Sequence, residues 1–229
     1  MSLAERYDSV RQRISVAAER SGRSSEAIEL IVITKMHPAS VAAELYQLGH
    51  RVFGENKDQE AAPKALALQE LGMSDASWHF VGQLQSNKAK SVIRYASCIH
   101  SIDRGSLVTE LAKQLAKNDQ RISGFLELNL TDDPNRGGVA PESLLALAEQ
   151  VQKTGAIDIL GVMGVAGLGV EPKVDFERVL RASEQLQTVI PSATNLSMGM
   201  SEDFESAIEM GATHVRIGSA ITGPRPTSA

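Results

Sequence analysis

Apolar and amphipathic segments alternate along the chain, and the first amphipathic segment predicts a helix. Apolar side chains recur there in steps of four, three and four, at Leu3, Tyr7, Val10 and Ile14. This spacing places them on one face of a helix. Ser21-Gly22 follows, and glycine is favoured just beyond the end of a helix. We therefore expect an N-terminal helix within residues 1–22.

Eight short apolar runs follow, and a helical pattern comes after nearly every one. The runs predicted as strands cover residues 30–34, 51–53, 78–81, 98–101, 125–129, 159–165, 195–197 and 214–217. The helical patterns cover residues 39–48, 57–71, 86–92, 105–117, 141–153, 174–188 and 201–210. Alternation of strands and helices indicates βαβ units and a parallel sheet. The pattern predicts an α/β fold, a single (β/α)8 TIM barrel with an extra N-terminal helix. An open doubly wound sheet is the alternative.

Composition and charge narrow the class of protein. Hydrophobic residues make up 42% of the 229 residues and aromatic residues only 4%, so the core is expected to be aliphatic. The net charge of −5 argues against a general surface for nucleic acid or anionic membranes. No apolar run reaches the length of a membrane span, and no secretory leader is recognised, which predicts a cytoplasmic protein.

The chain shows no sign of a second domain and contains a single cysteine. We expect one domain over residues 1–229, because no linker or change of composition divides the chain. The final segment, residues 223–229, is rich in glycine and proline and is expected to be a loose tail. The single cysteine, Cys98, cannot form an internal disulfide and is expected to be a small buried apolar group.

A lysine stands directly at the end of the first predicted strand. Lys35 follows the run 30–34 with no polar residues before it except Thr34. The active face of a TIM barrel lies at the C-terminal ends of its strands. Partial desolvation at that position would make the amine available for Schiff-base chemistry. The structural alternative is a lysine that simply extends into solvent.

The segments after the seventh and eighth strands have the composition of a phosphate site. They contain small residues and hydroxyl donors: Ser197, Gly199, Ser201, Gly218 and Ser219. Barrel enzymes often bind phosphate with the loops after these two strands. A helix opening at Ser201 would add its N-terminal dipole, but Glu202 and Asp203 in its first turn would repel the anion. We therefore expect phosphate nearer the Gly218–Ser219 amides. Either loop alone is typical of an ordinary turn.

Lysine and phosphate donors at one barrel mouth match pyridoxal 5′-phosphate (PLP), which carries both an aldehyde and a phosphate. Arg216 precedes Gly218 by two residues and would face the pyridine nitrogen. An arginine there would keep that nitrogen unprotonated, because a guanidinium has no acceptor to offer a ring N–H.

Several sequence motifs, spread over most of the chain, match those of a known protein family. They are ITKMHP around Lys35, FGENKDQE at 53–60, WHFVGQLQSNK at 78–88, IHSIDR at 99–104 and LSMGMSEDFESAIEMGATHVRIGSAITG at 196–223. The chain resembles the pyridoxal phosphate homeostasis proteins from its first helix to about residue 225. The last motif is long and highly specific.

The resemblance implies a fold-type III barrel like the N-terminal domain of alanine racemase, with PLP held as an internal aldimine on Lys35. It also implies a set of cofactor contacts: Asn56 beside the cofactor, Arg216 at the pyridine nitrogen, and Ser197, Met200, Ser201, Gly218 and Ser219 around the phosphate. Two departures concern the rim. Lys57 stands where many relatives have a tyrosine, and residues 131–139 read TDDPNRGGV where a Lys-Ser-Gly form is commoner.

The function implied is PLP homeostasis: a cytoplasmic monomer or weak dimer that holds, buffers or delivers PLP to PLP-dependent apo-enzymes, with no catalytic residue assigned. An amino-acid racemase is the alternative, and it needs a second base opposite Lys35. Tyr7, Tyr46 and Tyr95 are unconvincing for that role from their predicted positions. A Schiff-base lyase acting on a sugar phosphate without PLP is a more distant alternative.

Overall fold

Eight parallel strands close into a barrel in chain order, β1 to β8. The computed structural model describes residues 1–131, 136–167 and 169–224. The strands are β1 (Glu29–Ile33), β2 (Val52–Glu55), β3 (Ser77–Phe80), β4 (Ala96–Ile102), β5 (Ile122–Glu127), β6 (Ile157–Met163), β7 (Asn195–Ser197) and β8 (His214–Ile217). The TIM barrel is confirmed and the open sheet is wrong. Most of the predicted tail and part of the 131–139 segment lie outside the described residues.

The helices pack around this barrel. They are α1 (Leu3–Arg20), α2 (Ala39–Gln47), α3 (Asp58–Glu70), α4 (Ala89–Val92), α5 (Gly105–Ala116), α6 (Leu144–Thr154), α7 (Pro172–Gln187), α8 (Phe204–Glu209) and α9 (Ser219–Thr222). Within the described residues, no helix is both long enough and apolar enough to cross a bilayer.

Two helices near the end of the chain differ from the sequence-based expectation. The helix predicted from residue 201 begins only at Phe204. The Asp203 carboxylate accepts a hydrogen bond from the Met200 N–H at 2.6 Å, so this segment forms a turn before the helix starts. The short helix α9, directly after β8, was not predicted. The helix dipole expected at Ser201 is therefore absent, and α9 offers one beside Gly218 instead.

Helix α1 lies outside the alternating βα units and packs against α8 and α9. Ser2 and Glu5 form a reciprocal cap at its first turn, and Gly22 follows its end with a φ of +70°. Its buried residues include the four predicted from spacing. Arg23, just beyond the helix, donates to the carbonyls of Ile208 and Ala212 at the C-terminal end of α8. The N-terminal helix thus supports the last part of the barrel.

The barrel interior is partly polar. His100 on β4 contacts Ser197 on β7, and Phe125 on β5 contacts His214 on β8 at 4.9 Å between ring centroids. These strands are not neighbours in the sheet, so both contacts cross the interior. Cys98 packs there against Phe125 and Met163, as expected of a small buried group. The larger aliphatic core lies between the strands and the surrounding helices.

Gly161 allows β6 and β7 to approach closely. A Cβ built at this position would lie 1.8 Å from the Asn195 carbonyl oxygen on the neighbouring strand. We expect Gly161→Ala to lower the free energy of unfolding by about 3 kcal/mol or more, because the backbone of β7 must move. Gly155→Ala is the control, since Gly155 has open space around it and a φ of +64°. Its cost should be about 1–2 kcal/mol. Urea denaturation measures both, and equal losses would contradict the close-approach argument.

Candidate functional site

A cavity of about 740 Å³ opens at the C-terminal ends of the strands, a size typical of small-molecule sites. Seven of the eight predicted site residues line it: Lys35, Asn56, Met200, Ser201, Arg216, Gly218 and Ser219. His37, Gly82 and the 165–167 segment complete much of the wall. A second cavity of about 490 Å³ lies outside the barrel between α3 and α4, and no predicted site residue lines it.

Ser197 is the one predicted site residue that does not line the cavity. Its side chain is fully buried. The hydroxyl accepts a hydrogen bond from Arg216 Nη1 at 2.5 Å and lies 2.8 Å from His100 Nδ1. As the last residue of β7, it points into the barrel interior, because side chains alternate along a strand. Ser197 therefore contacts Arg216 below the cavity, and the direct phosphate contact expected of it from the sequence stays a prediction.

Lys35 occupies a tight turn at the end of β1. The turn is closed by the His37 N–H, which donates to the Thr34 carbonyl at 3.0 Å. Met36 has a φ of +64°, a left-handed conformation that costs a residue with a side chain free energy. Lys35 itself is half-buried. The turn directs Lys35 to the cavity only if the surrounding contacts hold this strained backbone in place.

A buried ion pair provides those contacts. Lys64 Nζ on α3 donates to the Thr34 carbonyl at 2.8 Å and to Glu55 Oε1 at 2.6 Å. The Thr34 hydroxyl also donates to Glu55 Oε1, at 2.7 Å. On the other side of Lys35, Glu60 accepts the Met36 N–H at 2.7 Å. Side chains from β2 and α3 therefore fix the peptide groups that flank the lysine.

The sequence analysis missed Lys64, although a signal was present. The buried positions of α3 are Asp58, Ala61, Lys64 and Leu68, in steps of three, three and four. A lysine inside such a buried stripe needs a partner, because an isolated charge is costly to bury.

We expect Lys64→Met to lower the free energy of unfolding by about 3–5 kcal/mol, because it leaves the buried Glu55 carboxylate unpaired. Lys64→Met combined with Glu55→Gln should lose less, since the amide is neutral and still accepts from Thr34. Lys153→Met, at an exposed lysine, should change stability by about 0.5 kcal/mol or less. Urea denaturation of the three variants would contradict the ion-pair assignment if the double variant were the least stable.

Helix α9 supplies anion donors next to Lys35. Gly218 stands at its N-terminus, where the first backbone N–H groups of a helix have no intrahelical acceptor. Ser201 Oγ lies 3.3 Å from Ser219 Oγ, which joins the two loops. Near the C-terminal end of α9, Arg6 Nε of α1 donates to the Ile221 carbonyl at 2.6 Å. The donors thus gather at Gly218–Ser219, while Asp203 occupies the Met200 N–H.

Arg216 places a fixed positive charge at the base of the cavity. It lies on β8 and is only 5% exposed. Besides Ser197, it donates to the Gly164 carbonyl through Nη2 at 3.0 Å. Burial lowers its pKa to about 10, opposed by Glu127 and Asp203, so the guanidinium stays charged at neutral pH. Two hydrogen bonds use two of its five N–H donors.

Glu127 is a second residue that the sequence analysis did not single out. It ends β5, and burial, followed by the charge of Asp103, raises its pKa to about 7. The charges of Arg216 and Arg136 act in the opposite direction. Its Oε2 atom is buried without a hydrogen-bond partner among the described residues. The sequence pattern that could have identified Glu127 is a glutamate at the end of a buried apolar strand.

Glu127 makes stability depend on pH in a defined direction. Its pKa in the folded protein, about 7, lies above the usual 4.5, so its stabilising contribution is complete below pH 4.5 and is lost as pH rises to 7. We expect the free energy of unfolding of Glu127→Gln, relative to that of the parent, to increase as pH rises from 4.5 to 7. Above pH 7 this difference should stay constant. Urea denaturation between pH 4.5 and 8 measures the difference. Glu142→Gln, at an exposed glutamate, is the control, and an identical pH profile for both variants would contradict the assignment.

The three tyrosines considered as a second base lie away from the cavity. Tyr7 contacts His50, Tyr46 contacts Asp75 and Tyr95 contacts Asp58, and none of the three lines the cavity. His37 does line it, and burial, followed by the charges of Lys64 and Arg6, lowers its pKa. At neutral pH this imidazole is therefore neutral.

Comparisons with known proteins agree with this geometry. The family model of the alanine racemase N-terminal domain matches residues 6–226. The pyridoxal phosphate homeostasis protein of Mycobacterium tuberculosis is 38% identical, with 94% of this chain and 90% of that protein covered. The Escherichia coli K12 protein of the same name is 36% identical, with coverage of 99% and 98%. The chain belongs to the pyridoxal phosphate homeostasis protein family and has the alanine racemase N-terminal domain.

Solved structures show the same architecture. PipY of Synechococcus elongatus, in a structure with PLP bound, has a TM-score of 0.85 and 32% identity, covering 97% of this chain and all of PipY. Alanine racemase of Corynebacterium glutamicum has a TM-score of 0.71 at 15% identity, covering 97% of this chain and 62% of the racemase. The second comparison concerns the fold alone, and it agrees with the fold-type III barrel expected from the sequence.

Proposed function

We propose that this protein binds PLP at the barrel mouth, attached covalently to Lys35, and that it holds, buffers and delivers the cofactor to PLP-dependent apo-enzymes. The observation that carries the proposal is the adjacency of Lys35 and α9. Lys35 follows β1 and Gly218 follows β8, and these two strands pair, with Val32 beside Ile217. In PLP the aldehyde and the phosphate arm stand on neighbouring ring carbons. Neighbouring strands therefore present the two groups that the ligand requires.

The donor set fits three polar parts of the cofactor: the aldehyde, the phosphate and the pyridine nitrogen. Lys35 supplies the amine, the N-terminus of α9 and the hydroxyls of Ser201 and Ser219 supply phosphate donors, and Arg216 supplies a cation for the pyridine nitrogen. Backbone N–H groups at a helix start suit phosphate. A guanidinium suits an unprotonated nitrogen, because it can only donate.

Bound PLP supplies an aldehyde that condenses with an amine and a ring that withdraws electrons from the attached group. The residues of this chain do the binding and positioning. Thr34 and Met36 hold the Lys35 turn through their contacts with Lys64, Glu55 and Glu60. Asn56 and Met200 border the ligand space.

Delivery to another protein is supported by exposure of the site. Ser219 and Met200 are exposed at the mouth, and Met200 retains 39% of its accessible surface. Ser219, one of the proposed phosphate donors, therefore lies on the outer part of the cavity, where a partner can reach it. Cytoplasmic location and a monomeric or weakly dimeric state remain predictions of the proposal.

The test is chemical labelling. PLP added to the purified protein should produce a visible absorption band, and borohydride reduction followed by peptide mass spectrometry should locate a pyridoxyl group on Lys35. Lys35→Ala should abolish this adduct because it removes the amine. Lys57→Ala should retain it, since Lys57 is exposed and does not line the cavity.

A matched ligand control addresses the phosphate donors. Pyridoxal has the aldehyde without the phosphate, and we expect it to label Lys35 at much higher concentrations than PLP requires. Labelling scattered over surface lysines, or equal labelling of Lys35 by both compounds, would contradict the proposed site.

A further inference from the structure

A row of hydrogen bonds runs through the barrel interior beneath the cavity. Arg216 Nη1 lies 2.5 Å from Ser197 Oγ, which lies 2.8 Å from His100 Nδ1. His100 Nε2 lies 3.0 Å from His79 Nδ1. All four side chains are buried, and Ser197 and His100 are fully so. The row links strands β8, β7, β4 and β3. Its β8 end is Arg216, which lines the cavity.

The direction of these bonds follows from the donor inventory. Arginine has no acceptor, so Ser197 Oγ must accept from it. The serine hydrogen then has one other partner among the described residues, His100 Nδ1, and leaving a buried hydroxyl hydrogen unpaired is unfavourable. Ser197 therefore donates to His100 Nδ1. It follows that His100 carries its proton on Nε2 and donates to His79 Nδ1.

Both imidazoles are neutral in this arrangement. Burial, followed by the charge of His214, lowers the pKa of His79 to about 3. Burial, followed by His79 and Arg216, lowers the pKa of His100 well below its usual value. A neutral row adds no positive charge beside Arg216, so its hydrogen bonds hold the guanidinium without repelling it.

Apolar walls fix the orientation of the central ring. His100 stacks on Phe125 with ring centroids 4.6 Å apart and an interplanar angle of 29°. Phe125 in turn packs against Cys98 and Met163. The ring therefore has little freedom to rotate away from Ser197.

We propose that His100 and His79 are positioning residues: they form, with Ser197, a hydrogen-bonded row of fixed direction that holds the Arg216 guanidinium towards the ring nitrogen of the cofactor. The proposal rests on the proposed PLP site for its functional consequence. The proton positions within the row do not depend on any ligand, and this allows the two ideas to be tested separately.

A metal ion is the rival use of these side chains. Donor atoms of His79, Cys98 and His100 lie within 4.8 Å of one another. An ion bound there would take the lone pair of His100 Nε2 and force the proton onto Nδ1. Burial also raises the pKa of the Cys98 thiol, which disfavours the thiolate that metals bind. The protonated nitrogen of His100 therefore separates the two interpretations.

The first experiment is ¹⁵N NMR of histidine-labelled protein without PLP, with His100 assigned by the loss of its signals in His100→Asn. We expect Nδ1 of His100 to have a pyridine-type shift and Nε2 a pyrrole-type shift, unchanged between pH 6 and 8. A pyrrole-type Nδ1, or titration of His100 in that range, would overturn the proposal.

The second experiment compares PLP binding by variants. Ser197→Ala should weaken PLP affinity about 10-fold to 100-fold, the usual loss when a hydrogen bond to a charged group is removed. His100→Leu should weaken it in the same direction, because the Ser197 hydroxyl loses its acceptor. Both should also shift the visible absorption maximum of the bound cofactor, because Arg216 is no longer fixed. His100→Asn should recover most of the affinity and the parental maximum, since Asn Oδ1 can accept in the place of imidazole Nδ1.

The outcomes are separable. If the parent protein fails to bind PLP, the proposed function fails while the NMR result still decides the direction of the row. If the parent binds PLP but His100→Leu and Ser197→Ala match it in affinity and spectrum, the positioning role alone is wrong. If the leucine variant does not fold, Ser197→Ala and the NMR measurement on the parent protein decide the question.

Discussion

Closure of the barrel between β1 and β8 is the constraint on which the candidate site depends. Four residue pairs join these strands, from Glu29–His214 to Val32–Ile217. Residues from the two ends of the chain are thereby brought to one edge of the mouth, with Lys35 on one strand and Gly218 on the other. An open sheet would leave these strands at separate edges. The same closure places Gly218 and the start of α9 beside the lysine turn, and the proposed PLP site rests on this adjacency.

Polar groups in the barrel interior and behind the site make this arrangement specific. Arg216 is buried at the base of the cavity with its guanidinium held by Ser197 and Gly164. Lys64 and Glu55 are buried behind the Lys35 turn. Buried charges tolerate few alternative positions, because each displacement leaves a desolvated group without its partner. Burial of these charges costs free energy, and their hydrogen bonds fix the position of the backbone at Lys35 and of the Arg216 guanidinium.

The N-terminal helix has a role in this geometry although it is not one of the βα units. Arg6 contacts the last turn of α9 and Arg23 contacts the end of α8. These two helices follow β7 and β8, the strands after which Ser201, Gly218 and Ser219 stand. A helix from the start of the chain therefore helps to fix the last elements of the barrel, and these include a four-residue helix that would be marginal alone.

The sequence by itself determined the barrel, the eight strands to within a few residues, and seven of the residues that line the cavity. The barrel, its strands and the site positions of Lys35, Ser201, Arg216, Gly218 and Ser219 follow from local periodicity and from which residue comes after each strand. The site positions of Asn56 and Met200 were implied by the resemblance to the pyridoxal phosphate homeostasis proteins. The start of α8 was misplaced because a single side chain, Asp203, takes the Met200 N–H and delays the helix. Only the tertiary structure shows what surrounds Ser197, Lys64, His100 and Glu127. Ser197 and His100 meet across the closed barrel, and such a contact leaves no trace in the local pattern. For Lys64 and Glu127 the pattern shows only a charged residue at a buried position, and the contacts of that residue depend on how other elements pack.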